Sequence, residues 1–221
     1  TPTVTPTSTP TPTPQPGARL DLGERALFAG DWDRALVEFN LVLSLADDDA
    51  TRAQAQLGIG KTLLQAGRLD EGVEALSIYL TTNSEHESYG QAYFLRAQAN
   101  EELGLSQEAL SDYRAYLTSR PGRLDAYTQE RIGDLYYAAK DYTAALEAYQ
   151  AALVSPGLDQ GLSAEIKVAR TRADSGDYRA AIAEYSAIYE KTSEEYLRAL
   201  MDYLMGQAYT RLGEYDLANA S

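Results

Sequence analysis

GDWDRA at residues 30–35 returns as GRLDEG at 67–72, GLSQEA at 104–109, KDYTAA at 140–145, GDYRAA at 176–181 and GEYDLA at 213–218. The spacings are 37, 37, 36, 36 and 37 residues, and two further columns keep the same step. A small residue stands seven positions before each block: Gly23, Gly60, Ala97, Gly133, Ala169 and Gly206. A bulky one stands four positions after it: Phe39, Leu76, Tyr113, Tyr149 and Tyr185. Self-similarity at such a period is the signature of a stacked repeat and decides the fold before any single element is read.

Apolar residues flank each block at helical spacing, as in Leu22, Ala26 and Ala29 before the first and Ala35, Leu36, Phe39, Val42 and Leu43 after it. Each unit is therefore a helical hairpin. The glycine opening the block suits a left-handed residue after the first helix, and Asp31, Asp141 or Asp177 beside it suits the cap of the second. Lys140 replaces that glycine in the fourth unit, at a small cost. The small residue lets the second helix approach, and the bulky residue fills the space between them. A lone hairpin leaves apolar surface exposed, so the units must stack. The expected fold is all-α: a right-handed α-α superhelix of five hairpins plus one extra helix, with repeats at about 18–49, 50–86, 87–122, 123–158, 159–193 and a partial one at 194–221. The last unit is cut a few residues into its second helix, so the natural protein is expected to continue past Ser221.

Outward from the repeats, residues 1–17 read differently. TPTVTPTSTPTPTPQP holds six of the eight prolines and no charge. Alternating prolines exclude a helix interior and favour polyproline II, about 3.1 Å per residue, which makes the segment an extended spacer of roughly 50 Å. All of the formal charge of −14, from 33 acidic and 19 basic side chains, belongs to the repeats. That balance argues against nucleic acid as a partner. With no cysteine and one histidine, thiolate and multi-histidine chemistry is excluded, and no catalytic residue, cofactor or metal site is expected. No apolar run reaches the ~18–20 residues of a membrane span.

Several motifs read as structure. Ala55–Thr62, AQLGIGKT, satisfies a permissive phosphate-loop pattern, but Gly60 is the repeat's packing glycine in mid-helix, whereas a phosphate loop needs a preceding strand. Asp47-Asp48-Asp49 lacks the glycine and glutamate of a calcium loop and reads as a turn with a helix cap near Ala50. His86 reads as an exposed turn residue. Tyr113, Tyr149 and Tyr185 read as core, and Trp32, Tyr142, Tyr178 and Tyr215 as core or turn packing.

The Gly/Ala column, the Gly-Asp-aromatic turn, the Ala column and the Tyr/Phe column resemble tetratricopeptide repeats, whose usual period is about 34 residues. The resemblance covers Ala18 to Ser221, with the repeat-ending proline represented by Pro121 and Pro156. The extra residues per unit imply longer second helices or turns. Such lengthened units look like those of bacterial envelope proteins, and their pairing with a Thr-Pro tether looks like the N-terminal region of exported lytic transglycosylases.

The resemblance implies a non-catalytic protein-interaction scaffold, tethered in the periplasm or at the cell surface, with first helices lining a concave face. The face gives Lys61, Gln91, Phe94, Gln98, Tyr127, Asp134, Tyr137, Arg170, Tyr203 and Gln207 as partner-binding candidates for a protein or peptide. Family members that clamp chaperone C-termini use a basic and asparagine-rich set where this chain has Leu20, Glu24, Leu57 and Lys61, so that activity is not expected. The alternative implied is a superhelical module of a lytic transglycosylase, whose catalytic glutamate would lie in another domain. The Thr-Pro tail is itself a candidate ligand, lying as polyproline II in a groove of its own or a neighbouring copy.

Overall fold

A computed structural model of the chain describes residues 14–84, 86–119, 122, 124–156 and 161–219. Most of the expected Thr-Pro spacer, with any docking of it, lies outside these residues, as does Pro121. The described residues form twelve helices: α1 (Pro16–Ala29), α2 (Trp32–Leu45), α3 (Asp49–Gln65), α4 (Leu69–Thr82), α5 (Tyr89–Glu102), α6 (Ser106–Ser119), α7 (Asp125–Ala138), α8 (Tyr142–Val154), α9 (Gly161–Asp174), α10 (Tyr178–Lys191), α11 (Glu195–Leu212) and α12 (Tyr215–Ala218). The fold is all-α, built of helical hairpins. Pro16 begins α1, where its missing N–H and fixed φ are tolerated, so the first helix starts two residues before Ala18.

Six turns repeat one geometry. At the first, the Gly30 N–H donates to the Leu27 carbonyl and the Asp31 N–H to the Ala26 carbonyl, with Gly30 at φ 77°. The same pair of bonds closes the turns at Gly67, Gly104, Lys140, Gly176 and Gly213. This is the Schellman arrangement, which satisfies orphan carbonyls at a helix end and needs a left-handed residue. Lys140 adopts it at φ 62°, the one described non-glycine residue with positive φ. Asp31, Asp141 and Asp177 then cap the following helices, accepting from the N–H of Arg34, Ala144 and Ala180. Asp48 caps α3 through the Thr51 N–H at 2.8 Å, which makes the acidic triplet a helix start.

The chain divides into two compact units, Thr1–Ala109 and Leu110–Ser221. In the first, α1 packs on α2, α2 on α3, α3 on α4 and α4 on α5. In the second the succession runs from α7 through α12. The core is built on the columns seen in the sequence. A Cβ at Gly23 would stand 2.7 Å from the Phe39 ring, one at Gly60 2.7 Å from Leu76, and one at Gly133 2.4 Å from Tyr149. Phe39, Leu76, Tyr113, Tyr149 and Tyr185 are all buried, and each such side chain contributes roughly 2–3 kcal/mol by leaving water. Phe39 also packs against Gly58 of the next hairpin, so one ring joins two repeats.

The extra length per repeat does not sit in the second helices: α2, α4, α6, α8 and α10 each have 13 or 14 residues. It sits in the connections between hairpins, such as residues 83–88, and in the first helices α3 and α11, of 17 and 18 residues. His86, expected as an exposed turn residue, is half-buried in one of these connections. The Tyr79 hydroxyl at 2.8 Å and the Ser88 N–H at 3.2 Å both meet its Nδ1, which leaves the ring proton on Nε2. A buried tyrosine of α4 needed a hydroxyl partner, and the loop supplies it.

Candidate functional site in the first-helix columns

First helices present successive residues at one register position. Glu24, Lys61, Gln98, Asp134, Arg170 and Gln207 share a position, and Phe28, Gln65, Glu102, Ala138, Asp174 and Arg211 share the one four residues on, one helical turn further. Where these two columns meet the start of a second helix, the structure opens a cleft. In the first unit, Glu24, Leu27, Phe28, Trp32 and Gln65 line a hollow of about 440 Å³, with Phe28 96% exposed. In the second unit, Tyr137, Arg170, Asp174, Tyr178, Tyr185, Gln207 and Arg211 line one of about 510 Å³, walled by Ala173, Leu204 and Ala208.

The second-unit cleft gathers three of the residues expected from the sequence, Tyr137 of α7, Arg170 of α9 and Gln207 of α11. The Tyr137 hydroxyl donates to the Asp174 carboxylate, and its ring meets Tyr142 edge-on with centroids 5.8 Å apart. Burial, aided by Asp174, pushes the Tyr137 hydroxyl up to about 12. Tyr185, 1% exposed, forms the floor and is likewise pushed up to about 12 by burial. Tyr178, expected as packing, lines this cleft, and Tyr215 of the same column is 64% exposed.

Other expected residues are placed differently. Asp134 is half-buried and engaged within the fold: the Tyr149 hydroxyl donates to it at 2.8 Å, Lys167 Nζ stands 2.9 Å away and Arg131 3.3 Å. Lys167 also reaches Glu130, which is buried and accepts from the Ser163 hydroxyl at 2.7 Å. This network ties α7 and α8 to α9. Lys61 is half-buried on α3; burial pulls its ammonium below the usual lysine range, with Glu24 of α1 acting in the opposite direction. The whole phosphate-loop-like stretch around it lies within α3. Gln91, Phe94 and Gln98 lie half-buried on α5, and Tyr127 half-buried on α7. Tyr203 of α11 is 63% exposed and stands outside the cleft lining.

Sequence reasoning missed Asp174, Arg211 and Phe28, although the register that found Arg170 and Gln207 finds them four residues further along. It missed Lys167 because an ion pair across 33 residues leaves no local signal. Among the described residues no three His, Asp or Glu side chains gather as a metal site, and no helix is long and apolar enough to cross a membrane.

Known proteins share this architecture. The chain superposes on the crystal structure of MamA protein with a TM-score of 0.66 at 20% identity, covering 80% of this chain and 91% of that one. A tetratricopeptide repeat protein from Parabacteroides merdae ATCC 43184 gives 0.68 at 16% identity, covering 93% and 76%. MamA 41-end from Desulfovibrio magneticus RS-1 gives 0.64 at 17% identity, covering 79% and 93%. No curated protein sequence matches the chain significantly. The tetratricopeptide repeat family model matches residues 20–86, 57–123 and 167–220, and between the last two the α7–α8 hairpin repeats the same turn with Lys140 in place of glycine. With helical hairpins, turns and packing columns all in agreement, the chain belongs to the tetratricopeptide repeat family.

Proposed function

We propose that this chain is a non-catalytic scaffold of the bacterial cell envelope that binds a segment of a partner protein along its first helices, with residues 1–17 as a tether. Tetratricopeptide repeat proteins bind protein partners, and such scaffolds are generally non-catalytic. One observation carries the binding face: the buried columns stay nearly constant from repeat to repeat, while the cleft column runs Glu24, Lys61, Gln98, Asp134, Arg170, Gln207. Packing constrains the first set; in the second, Asp134 is tied to Tyr149 of its own hairpin, and the variety of the other members suits recognition of a sequence of side chains. Tyr137, Arg170 and Gln207 supply an aromatic wall, a charge and an amide in one cleft. Asp134 acts by fixing Tyr149 and Lys167 rather than by meeting the partner. The uncharged Thr-Pro stretch and the absence of cysteine support the envelope location.

The test is affinity capture from an envelope fraction with the full chain and with Tyr137→Ala and Phe94→Ala. A partner retained by the wild type and lost by the variants is the expected result; capture unaffected by either substitution overturns the assigned face.

The coupling of the Thr-Pro tether to lengthened repeats favours a second reading, a superhelical module serving a peptidoglycan lytic transglycosylase. On that reading the chain releases no muropeptides from purified sacculi by itself and binds them, or the catalytic domain, through these helices.

A further inference from the structure

The charged groups left unpaired in the second-unit cleft are two guanidiniums, which donate hydrogen bonds and accept none. Arg170 and Arg211 line it, and among the described residues neither guanidinium makes an ion pair or hydrogen bond. Lys167, Arg172, Arg179 and Lys191 of the same unit each hold a carboxylate. Tyr185 is 1% exposed and lines the cleft, yet its hydroxyl has no hydrogen-bond partner among the described residues. Burial keeps that hydroxyl protonated far above neutral pH, so it stands ready to donate. The Gln207 amide adds donors beside it. The one carboxylate in the cleft, Asp174, accepts the Tyr137 hydroxyl on Oδ2 and offsets one of the two guanidinium charges.

Two arginines against one engaged carboxylate leave this spot positive on a chain whose formal charge is −14. Converging guanidinium and phenol donors fit a carboxylate, whose two oxygens accept several charge-assisted hydrogen bonds. The walls of Tyr137, Tyr178 and Leu204 suit an apolar neighbour of that carboxylate, and about 510 Å³ holds a side chain with part of its backbone. We propose that this cleft binds an aspartate or glutamate side chain of a partner polypeptide, with Arg170 and Arg211 as charged donors and the Tyr185 hydroxyl as the neutral one. The proposal rests on the peptide-binding reading above and adds the chemistry of the peptide.

The probe is a library of random 12-residue peptides displayed on phage, selected on the full chain alone, with every winner then compared on the full chain and on R170Q/R211Q. Winning peptides are then synthesised with capped termini and titrated by fluorescence polarisation. Both arginines are exposed, so R170Q/R211Q keeps the wild-type circular dichroism and urea midpoint, and Tyr185→Phe keeps the ring while removing the hydroxyl. The expected result is enrichment of acidic residues. Changing the critical Glu to Gln in the peptide, or either arginine to glutamine in the protein, weakens binding about tenfold. Binding also falls as sodium chloride rises from about 0.05 to about 0.5 M, because added salt screens exposed charge contacts. Winners without acidic enrichment, whose binding survives R170Q/R211Q but is lost in Tyr137→Ala, overturn the acidic chemistry and leave peptide binding standing. No enrichment above background overturns both.

Discussion

Replacing Gly133 by alanine tests the central packing device of the repeat. The new Cβ would stand 2.4 Å from Tyr149 Cε1, 2.5 Å from Cδ1 and 2.9 Å from Cζ. Ordinary contact begins at about 3.4 Å, so the ring must retreat by about 1 Å. It has little room, because Tyr149 is 2% exposed, its hydroxyl is tied to Asp134 and Lys167 Nζ lies 5.6 Å from the ring centroid. Overpacking of this kind costs about 1–3 kcal/mol, and stretching the hydroxyl bond adds about 1. Alanine returns about 1 kcal/mol of helix propensity, which leaves a net loss of about 2 kcal/mol. The assay is urea unfolding followed by circular dichroism at the helix band, on the full chain, with Tyr149→Ala as a second background. In that background the clash is gone, and Gly133→Ala becomes neutral or stabilising. A loss below about 0.5 kcal/mol in the wild type, or the same loss in both backgrounds, would refute the reasoning.

Lys140→Gly relieves the one left-handed side chain at a turn and raises stability by about 0.5–1 kcal/mol in the same urea experiment. Lys167→Ala strands the buried Glu130 and part of the Asp134 shell, with a loss of about 2 kcal/mol that Lys167→Arg largely restores; equal losses for both variants would show the charge to be irrelevant. Tyr79, Tyr137 and Tyr185 are held protonated to about 12, above the usual tyrosine value of about 10. Folded pKa values above unfolded ones mean that this stabilisation is whole below pH ~10 and is lost as pH climbs towards 12. The urea midpoint therefore drops across that window while absorbance shows delayed phenolate formation. ATP at millimolar concentration leaves the melting temperature unchanged, since Lys61 lies in mid-helix; a shift abolished by Lys61→Ala would restore the phosphate-loop reading.

Much of the fold was legible because its causes are local. Gly30, Gly67, Gly104, Gly176 and Gly213 mark turns that need positive φ, and the same period marks Lys140 as the exception that takes that conformation anyway. Gly23, Gly60 and Gly133 predict the bulky partners they meet, because each pair is separated by one hairpin of fixed length. His86 was misread for the opposite reason: its burial depends on the Tyr79 hydroxyl emerging from the core beneath it. The candidate site was half legible. Register found Arg170 and Gln207, but treated Asp134 as their equivalent.

The sequence by itself determined the repeat, the hairpin, the turn and the core columns, since backbone conformation and apolar periodicity are properties of neighbouring residues. Only the tertiary structure decided which polar side chains of the two first-helix columns are consumed and which stay available. Asp134 is taken by Tyr149 and Lys167, while Arg170 and Arg211 meet no described carboxylate. Those pairings join side chains up to 33 residues apart, and their strength depends on distance and burial, which exist only once the helices are packed.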